Sequence, residues 1–553
     1  MRILLLARSF NSLTQRLFVE LAAHGYERSV EFDIADSVTE EAVALFAPDV
    51  VVAPFMKRAI PESVWRNVIC LVVHPGVAGD RGPSALDWAI AEGRREWGVT
   101  VLQAEAEMDA GPVWASATFP LRAVAKSSLY RNEVTDAAVA AVLSALERVR
   151  FGAYRPQRVE GRARPLMRQE DRRIDWARDD TEGVLRRMRA ADGAPGVLDE
   201  LFGVRCHLFD ARRAERTAGA APGSVIARSG EGIVRATVDG AVRIGHCRRA
   251  DQEETFKLPV ALAFPEPHAA LPDGGDGDEI RYEEHVDVGV LHFPFYNGAM
   301  STSQCSRLLA AYRKALARPT RALVLAGGSD FFSNGIHLNA IEAAASPADE
   351  SMRNIEAIDD VCRAILETTD RITIAALQGN AGAGGCFVAF ACDEVWARSG
   401  VLLNPHYKNM GNLYGSEYWT YTLPRRVQQG APRAVMENRL PVSVAQAQAI
   451  GLVDAVLDED RARLIDRAIS RAGGIVRDPS FAARLAAKRE RRARDEAEKP
   501  LAAYCEEELA QMRRNFYGFD PSFHYARSHF VRKVPHAWTP RHLAVHRDRG
   551  APR

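Results

Sequence analysis

Two stretches of this chain hold residues fit for chemistry on a carbonyl group. The first is VVHPGVAGDRGPSALDWAI (72–90), followed by WGVTVLQAEAEMDAGPVWA (97–115). His74 closes an apolar run and Asp109 lies in the turn MDAG. A histidine oriented by a carboxylate moves protons near neutral pH. Either residue alone more often serves structure; the pair, each at the end of an expected strand, favours a proton shuttle. The second stretch, GNAGAGGCFVAFACDE (379–394), packs four glycines between Gly379 and Gly385 and then turns apolar. Such glycines let a carbonyl approach the backbone closely, and a helix opening at Gly385 adds its positive end. A third segment, NMGNLYGSEYWTYTLPRRV (409–427), places Tyr414, Tyr418 and Tyr421 beside Glu417. Tyr-rich stretches are usually core. The alternative is a buried Glu417 that takes a proton while a tyrosine such as Tyr414 gives one. Glu437, in AVMENRL, is a second candidate base.

The elements that must position these residues fall into blocks. The chain has 553 residues, enough for several domains. In 1–150, ILLLA, EFDIAD, DVVVAP and ICLVVHPG alternate with helical segments. Short apolar strands alternating with helices imply a parallel sheet, with ligands beyond the carboxyl ends of its strands. The turns ARSFNS, APFMKR and HPGVAGDRG would share that edge, near Arg8, Gln15 and Arg131. Residues 151–262 carry short strands such as GSVIARS and GIVRATV and read as a small β-barrel domain. The Pro-, Gly- and Asp-rich span 263–283 reads as a linker, and 284–475 alternates strand and helix again. From 476 to 553 the pattern is a helical, heavily charged tail; Arg and Lys in 483–494 are candidates for an anionic ligand. The expected fold class is therefore α/β multidomain.

Lys+Arg and Asp+Glu are 72 each, so no basic excess points to nucleic acid or an anionic membrane. No apolar run reaches bilayer length, and the eight cysteines form no CxxC pair, which leaves zinc and redox motifs unsupported. A reduced, cytoplasmic setting is the simplest expectation.

His74-Pro75, Arg81-Gly82-Pro83, Gly98-Val99-Thr100 and Asp109-Ala110-Gly111 follow one another in the order of a known family. The segment resembles the N-terminal domain of the formyltetrahydrofolate-dependent formyltransferases, a Rossmann-like parallel-sheet fold. MRAADGAPGV and APGSVIARSGEGIVRATVDGAVRI are similar to the OB-like C-terminal barrel of methionyl-tRNA formyltransferase. The resemblance implies His74 and Asp109 as catalytic residues. It makes Arg8, Gln15, Arg81, Gly82, Pro83 and Arg131 candidates to hold formyl-folate. Where that family has its catalytic Asn, this chain has Val72. Losing one such donor costs about 10²–10³ in rate, so transfer to a thiol, whose thiolate is a strong nucleophile, suits this site better than transfer to an amine.

The stretch ALVLAGGSDFFSNGIHLNAIE (322–342), the glycine-rich turn and AQAQAIGLVDAV (445–456) resemble the enoyl-CoA hydratase/isomerase (crotonase) superfamily. The resemblance implies an oxyanion hole for a thioester carbonyl made by the N–H groups of Ile336 and Gly384. Gly335, Gly385 and Phe387 would line the coenzyme A site. Hydratases carry two catalytic glutamates where this chain has Phe387 and His406, so hydration is not expected. An apolar Phe387 would keep water from a reactive acyl group.

The two halves together resemble a family of [NiFe]-hydrogenase maturation factors. That resemblance implies carbon monoxide synthesis from N10-formyltetrahydrofolate, by formyl transfer to coenzyme A and decarbonylation of formyl-CoA, with other maturation proteins as possible partners. Two alternatives fit the same residues: an enzyme that makes or hydrolyses formyl-CoA and releases formate, and a non-catalytic folate or coenzyme A sensor. A monomer or a small oligomer is expected.

Overall fold

The computed structural model describes residues 1–215, 219–275, 279–427 and 430–548, and it divides into two compact units. The first unit comprises Met1–Gly275 and Pro535–Arg553; the second comprises Asp276–Val534.

The first unit opens on a six-stranded sheet. Its strands lie in the order Glu27–Phe32, Arg2–Ala7, Val50–Phe55, Ile69–His74, Glu96–Gln103 and Val113–Pro120. The first four are parallel, and the last two run antiparallel to their neighbours. RILLLA, VVVAPF and ICLVVH are almost wholly apolar because helices cover both faces of the parallel strands. The first connection goes to one side of Arg2–Ala7 and the later ones to the other. The chain reversal therefore lies between Arg2–Ala7 and Val50–Phe55, where the Arg8 N–H donates to Phe55 O at 2.9 Å. Asn11 caps the helix Ser12–Ala23 by accepting the Thr14 N–H at 3.0 Å, a contact of about 1 kcal/mol.

The second domain of this unit is antiparallel: Val225–Ser229, Gly232–Ala236, Ala241–Arg249, Val204–Ala214 and Val197–Leu201 in spatial order. Among the described residues no ladder joins the outer strands, so the sheet forms an open path and not a closed barrel. Part of the expected linker is structured. Val260–Ala263 and Pro265–Ala269 are helical, and Asp273 bridges to Arg228; residues 276–278 lie outside the described residues. The end of the chain is not a continuation of the helical tail. Leu543 O accepts the Val30 N–H at 3.0 Å and the Thr539 hydroxyl accepts the Phe32 N–H at 2.8 Å, which covers the edge strand Glu27–Phe32.

The second unit carries a six-stranded sheet, from Arg281–His285 through Val288–His292, Ala322–Ala326, Ile372–Leu377 and Glu394–Arg398 to Ala455–Leu457. Its first two strands form a hairpin and the rest are parallel. A smaller sheet joins Phe331–Ser333, Asn380–Gly382, Leu402–Asn404 and Val442–Ser443. The helices Phe481–Glu498, Leu501–Tyr517 and Ser522–Arg532 are built into this unit: Leu501, Met512, Phe516 and Phe523 share its core with Phe387 and Tyr407.

Candidate functional site

His74 is the last residue of its strand, at the edge where the fold exposes strand ends. Its ring is buried between two carboxylates: Nδ1 lies 3.6 Å from Asp109 Oδ2 and Nε2 lies 3.5 Å from Asp80 Oδ1. Each carboxylate is fixed from behind. Asp80 Oδ2 takes the Arg164 guanidinium at 2.6 Å, and Asp109 Oδ2 accepts the Gly82 N–H at 3.2 Å. Asp109 sits at φ 57°, a left-handed conformation that aspartate tolerates better than most residues. Glycine at 82 is required: its φ is 112°, and a Cβ there would lie 2.2 Å from Arg164 O. His74 Nε2 and Asp80 Oδ1 are buried without a hydrogen-bond partner among the described residues. The two atoms face each other at 3.5 Å, so the pair meets its own polar need in the buried ring environment.

Val72, two residues before His74, pairs in register with Ala53 and Leu102 and brings no donor. Arg8 stands at the chain reversal. Gln15 lies on the helix Ser12–Ala23, where its side-chain amide donates to Phe10 O at 2.9 Å. Arg131 lies in the wide turn Tyr130–Val134, and the Tyr130 ring packs on Phe55 with centroids 6.1 Å apart. Arg16 and Asp136, 3.3 Å apart, tie the helix Ser12–Ala23 to the helix Thr135–Phe151 that directly continues this turn. Arg8, Gln15 and Arg131 therefore belong to neighbouring elements at one sheet edge. Arg81 pairs with Glu107 at 3.6 Å, and Pro83 follows Gly82 in the same loop.

In the second unit, the turn at Gly335–Ile336 packs against the start of the helix Gly384–Phe390. Gly335 has φ 75°, and a Cβ on it would lie 3.0 Å from Gly384 N. A Cβ on Gly385 would lie 2.1 Å from Ser333 O, so the helix begins directly on the strand Phe331–Ser333. The loop is held by Asn334 N–H to Gly298 O at 2.7 Å and Met300 N–H to Gly335 O at 2.9 Å; the N–H groups of Ile336 and Gly384 take no part in these bonds.

Glu417 completes this site. A Cβ on Gly384 would lie 2.0 Å from Glu417 Oε1, so the carboxyl rests against the glycine face. The side chain is buried, and Oε2 accepts the Tyr407 hydroxyl and the Ser416 N–H. Burial, reinforced by the nearby Asp359 charge, pushes the Glu417 pKa well above the carboxylate range. Burial beside Glu417 likewise raises the Tyr407 phenol far above its ordinary value. Phe387 is fully buried and stacks on the Tyr407 ring, centroids 5.5 Å apart and planes 12° apart. Its partner is thus the tyrosine whose hydroxyl donates to Glu417.

The hydroxyl that reaches Glu417 belongs to Tyr407, not to Tyr414. Tyr414 packs on Trp419 with centroids 5.3 Å apart, and its N–H donates to Asn515 Oδ1. Glu437 does not share this environment: it is exposed at the end of the helix Pro432–Glu437 and pairs with Arg433 at 2.8 Å. Three of the six basic residues of 483–494 are engaged within the fold, and Arg489, Arg491 and Arg494 are exposed. Lys488 bonds Asp393 and Arg371 O, Arg484 bonds Glu394, and Arg492 bonds Tyr421 and Glu496. Asp80 and Tyr407 were missed by the sequence reading, although Asp80 lies within HPGVAGDRG and Tyr407 directly follows His406.

All eight cysteines are unpaired. Among the described residues no helix is long and apolar enough to cross a membrane, and no group of three or more His, Cys, Asp or Glu is placed to hold a metal ion.

Comparison with known proteins agrees with the division of the chain. Residues 18–146 match the formyl transferase family, 166–255 the formyl transferase C-terminal domain, and 286–539 the enoyl-CoA hydratase/isomerase family. The hydrogenase maturation factor HoxX of Bradyrhizobium diazoefficiens is 56% identical over 560 residues, covering 100% of this chain and 98% of that protein. The crystal structure of HypX from Aquifex aeolicus in complex with tetrahydrofolic acid is 48% identical, with a TM-score of 0.96 over 99% of both chains. Methionyl-tRNA formyltransferase of Roseiflexus castenholzii is 33% identical over 188 residues, 33% of this chain and 58% of that enzyme.

Proposed function

The chain belongs to the HoxX/HypX family of hydrogenase maturation factors, and from that premise we propose that it makes carbon monoxide from N10-formyltetrahydrofolate in two steps. The observation that carries the reading is the placement of Glu417, a buried carboxyl of raised proton affinity, against Gly384 of a crotonase-type site.

In the first step the thiol of coenzyme A attacks the formyl carbon of the folate, the C–N bond breaks and the folate nitrogen takes a proton. His74, between Asp80 and Asp109, moves that proton. The missing donor at Val72 is tolerated because a thiolate needs less activation of the carbonyl than an amine does. Arg8, Gln15, Arg81, Gly82, Pro83 and Arg131 hold the folate and the thiol carrier at this edge.

In the second step the formyl oxygen of formyl-CoA is held by the N–H groups of Ile336 and Gly384. Glu417 removes the formyl hydrogen as a proton, carbon monoxide departs, and the C–S pair stays on sulfur, which is reprotonated to the free thiol. Coenzyme A is thereby regenerated as a carrier. Phe387 and the ring it stacks on keep the cavity apolar, so water does not divert the acyl group to formate. The carbon monoxide is then available as a ligand for a hydrogenase iron, through maturation partners.

Two variants separate the steps. His74→Ala should form neither formyl-CoA nor carbon monoxide from formyl-folate, while Glu417→Gln should accumulate formyl-CoA without releasing carbon monoxide. Carbon monoxide is read by its binding to haemoglobin and formyl-CoA by mass spectrometry. Unchanged gas release by either variant would refute its assigned role.

A further inference from the structure

Glu417 stands on a backbone turn that no glycine relieves. Glu417 and Tyr418 are consecutive residues with φ of 60° and 59°. Side chains resist this conformation, and it persists only where the surroundings over-determine it. Two carboxyls do so here. From the helix Pro347–Glu367, Asp359 Oδ1 accepts the Glu417 N–H at 2.7 Å and Oδ2 accepts the Ser416 hydroxyl at 2.6 Å. From the helix Leu501–Tyr517, Glu508 Oε2 accepts the Tyr418 N–H at 2.9 Å, and Oε1 accepts the Thr420 N–H at 2.8 Å together with the Thr420 hydroxyl.

Asp359 is 2% exposed and Glu508 0%. Burying an acid without a cation is costly, and each acid here accepts through both of its oxygens, which an amide side chain with its single acceptor oxygen cannot do. We propose that Asp359 and Glu508 are positioning residues for proton abstraction: together they clamp residues 416–420 so that the Glu417 carboxyl is held against Gly384. The proposal rests on the reading of Glu417 as the base.

Asp359 adds a second effect. Among the described residues, the titratable groups that interact with Glu417 are Asp359 and Cys362 on one helix, Glu508 on another, Cys305 on a third, and Tyr407. None of them is a cation. Burial is the larger cause of the raised Glu417 pKa and the Asp359 charge the second. Burial also raises Asp359 itself, to about 7, against the bond from Ser416. An ionised Asp359 makes Glu417 a stronger base.

The test is carbon monoxide release from supplied formyl-CoA by Asp359→Asn and Glu508→Gln, with Glu417→Gln beside them. A base displaced by an ångström loses on the order of 100-fold. Both clamp variants should therefore lose about 10- to 100-fold in kcat, with KM for formyl-CoA little changed and formyl transfer intact. Glu417 must be ionised to act, so kcat rises with pH through its pKa. Removing the neighbouring charge lowers that pKa, and in Asp359→Asn the rising limb moves to lower pH. Glu508 bonds residues 418 and 420 and not the Glu417 carboxyl, so Glu508→Gln should lower kcat without moving the limb. If Asp359→Asn fails to fold, Ser416→Ala, which deletes one bond to Asp359, is read instead: a fall in kcat at constant KM supports the clamp and an unchanged kcat overturns it. Wild-type kcat and an unmoved limb in Asp359→Asn, with Glu417→Gln inactive, overturns the clamp alone. An active Glu417→Gln overturns the reading beneath it.

Discussion

His74 shows how a single side chain acquires a role from what flanks it. Its two ring nitrogens face different carboxylates, and only one of these, Asp109, stands in a turn the sequence makes conspicuous. Replacing His74 by Ala should lower formyl transfer to coenzyme A by about 10²–10⁴, the range for a general acid–base. Release of carbon monoxide from supplied formyl-CoA should stay at the wild-type rate, because the second unit holds its own base. An equal loss in both assays would contradict separate roles. Phe387 is the other informative residue. Its stack on Tyr407 predicts that Phe387→Glu, which buries a carboxylate beside Glu417, diverts product from carbon monoxide to formate; gas and formate measured together check this. His74, Asp109 and Glu417 were legible in the sequence because each lies within a short, unusual segment. Tyr407, Asp80 and Asp359 were not. Their meaning comes from contacts 10, 6 and 58 positions away along the chain, with Glu417, His74 and Glu417 again, and local pattern carries no trace of such pairings.

At the scale of elements, the glycines of the second site act as spacers. A methyl on Gly384 meets the far end of the Glu417 side chain, at 2.0 Å, and not a fixed backbone atom. Relief requires the Glu417 carboxyl to move and give up its bonds from Tyr407 and Ser416. Gly384→Ala should therefore lose about 100-fold or more in carbon monoxide release with a lowered but cooperative thermal melt, read by haemoglobin binding alongside the melt. Loss of folding with retained specific activity would contradict the spacing argument. The alternation of apolar strands and helices made both α/β sheets legible, as did the glycine-rich start of Gly384–Phe390. The closing pair of antiparallel strands beside Ile69–His74 was not, since strand direction is decided by pairing and not by composition. The charged helices after residue 480 read as a solvated tail because their buried positions are few and widely spaced. In the fold, Leu501, Glu508, Met512 and Phe516 bring one of these helices into the core of the second unit.

At the scale of the whole molecule, the chain closes on itself. The stretch 539–547 packs on the first unit and buries Glu31, whose carboxyl accepts His546 at 3.0 Å, Arg547 at 2.8 Å and the Thr539 hydroxyl. Burial by itself would raise the Glu31 pKa, but these three partners outweigh it and hold the group below its ordinary value. A folded-state pKa below the unfolded one stabilises at pH above the unfolded value, and the stability is lost as pH falls through the folded one. Deleting residues 535–553 strips Glu31 of all three partners and uncovers an edge strand. The deletion removes both the cover and the bonds that stabilise the ionised Glu31, so the truncated protein should show a lower Tm for the first unit and lose its acid-range dependence on Glu31. An unchanged melt would contradict the clasp.

The central claim joins both units: one formyl carbon enters as formyl-folate and leaves as carbon monoxide by way of coenzyme A. The most direct measurement supplies N10-formyltetrahydrofolate labelled with ¹³C at the formyl carbon, with coenzyme A, and follows the label by infrared spectroscopy of haemoglobin-bound gas and by NMR of the solution. The account predicts labelled carbon monoxide in step with tetrahydrofolate formed, dependent on coenzyme A, with little labelled formate. Label recovered as formate, with no bound gas, would contradict it.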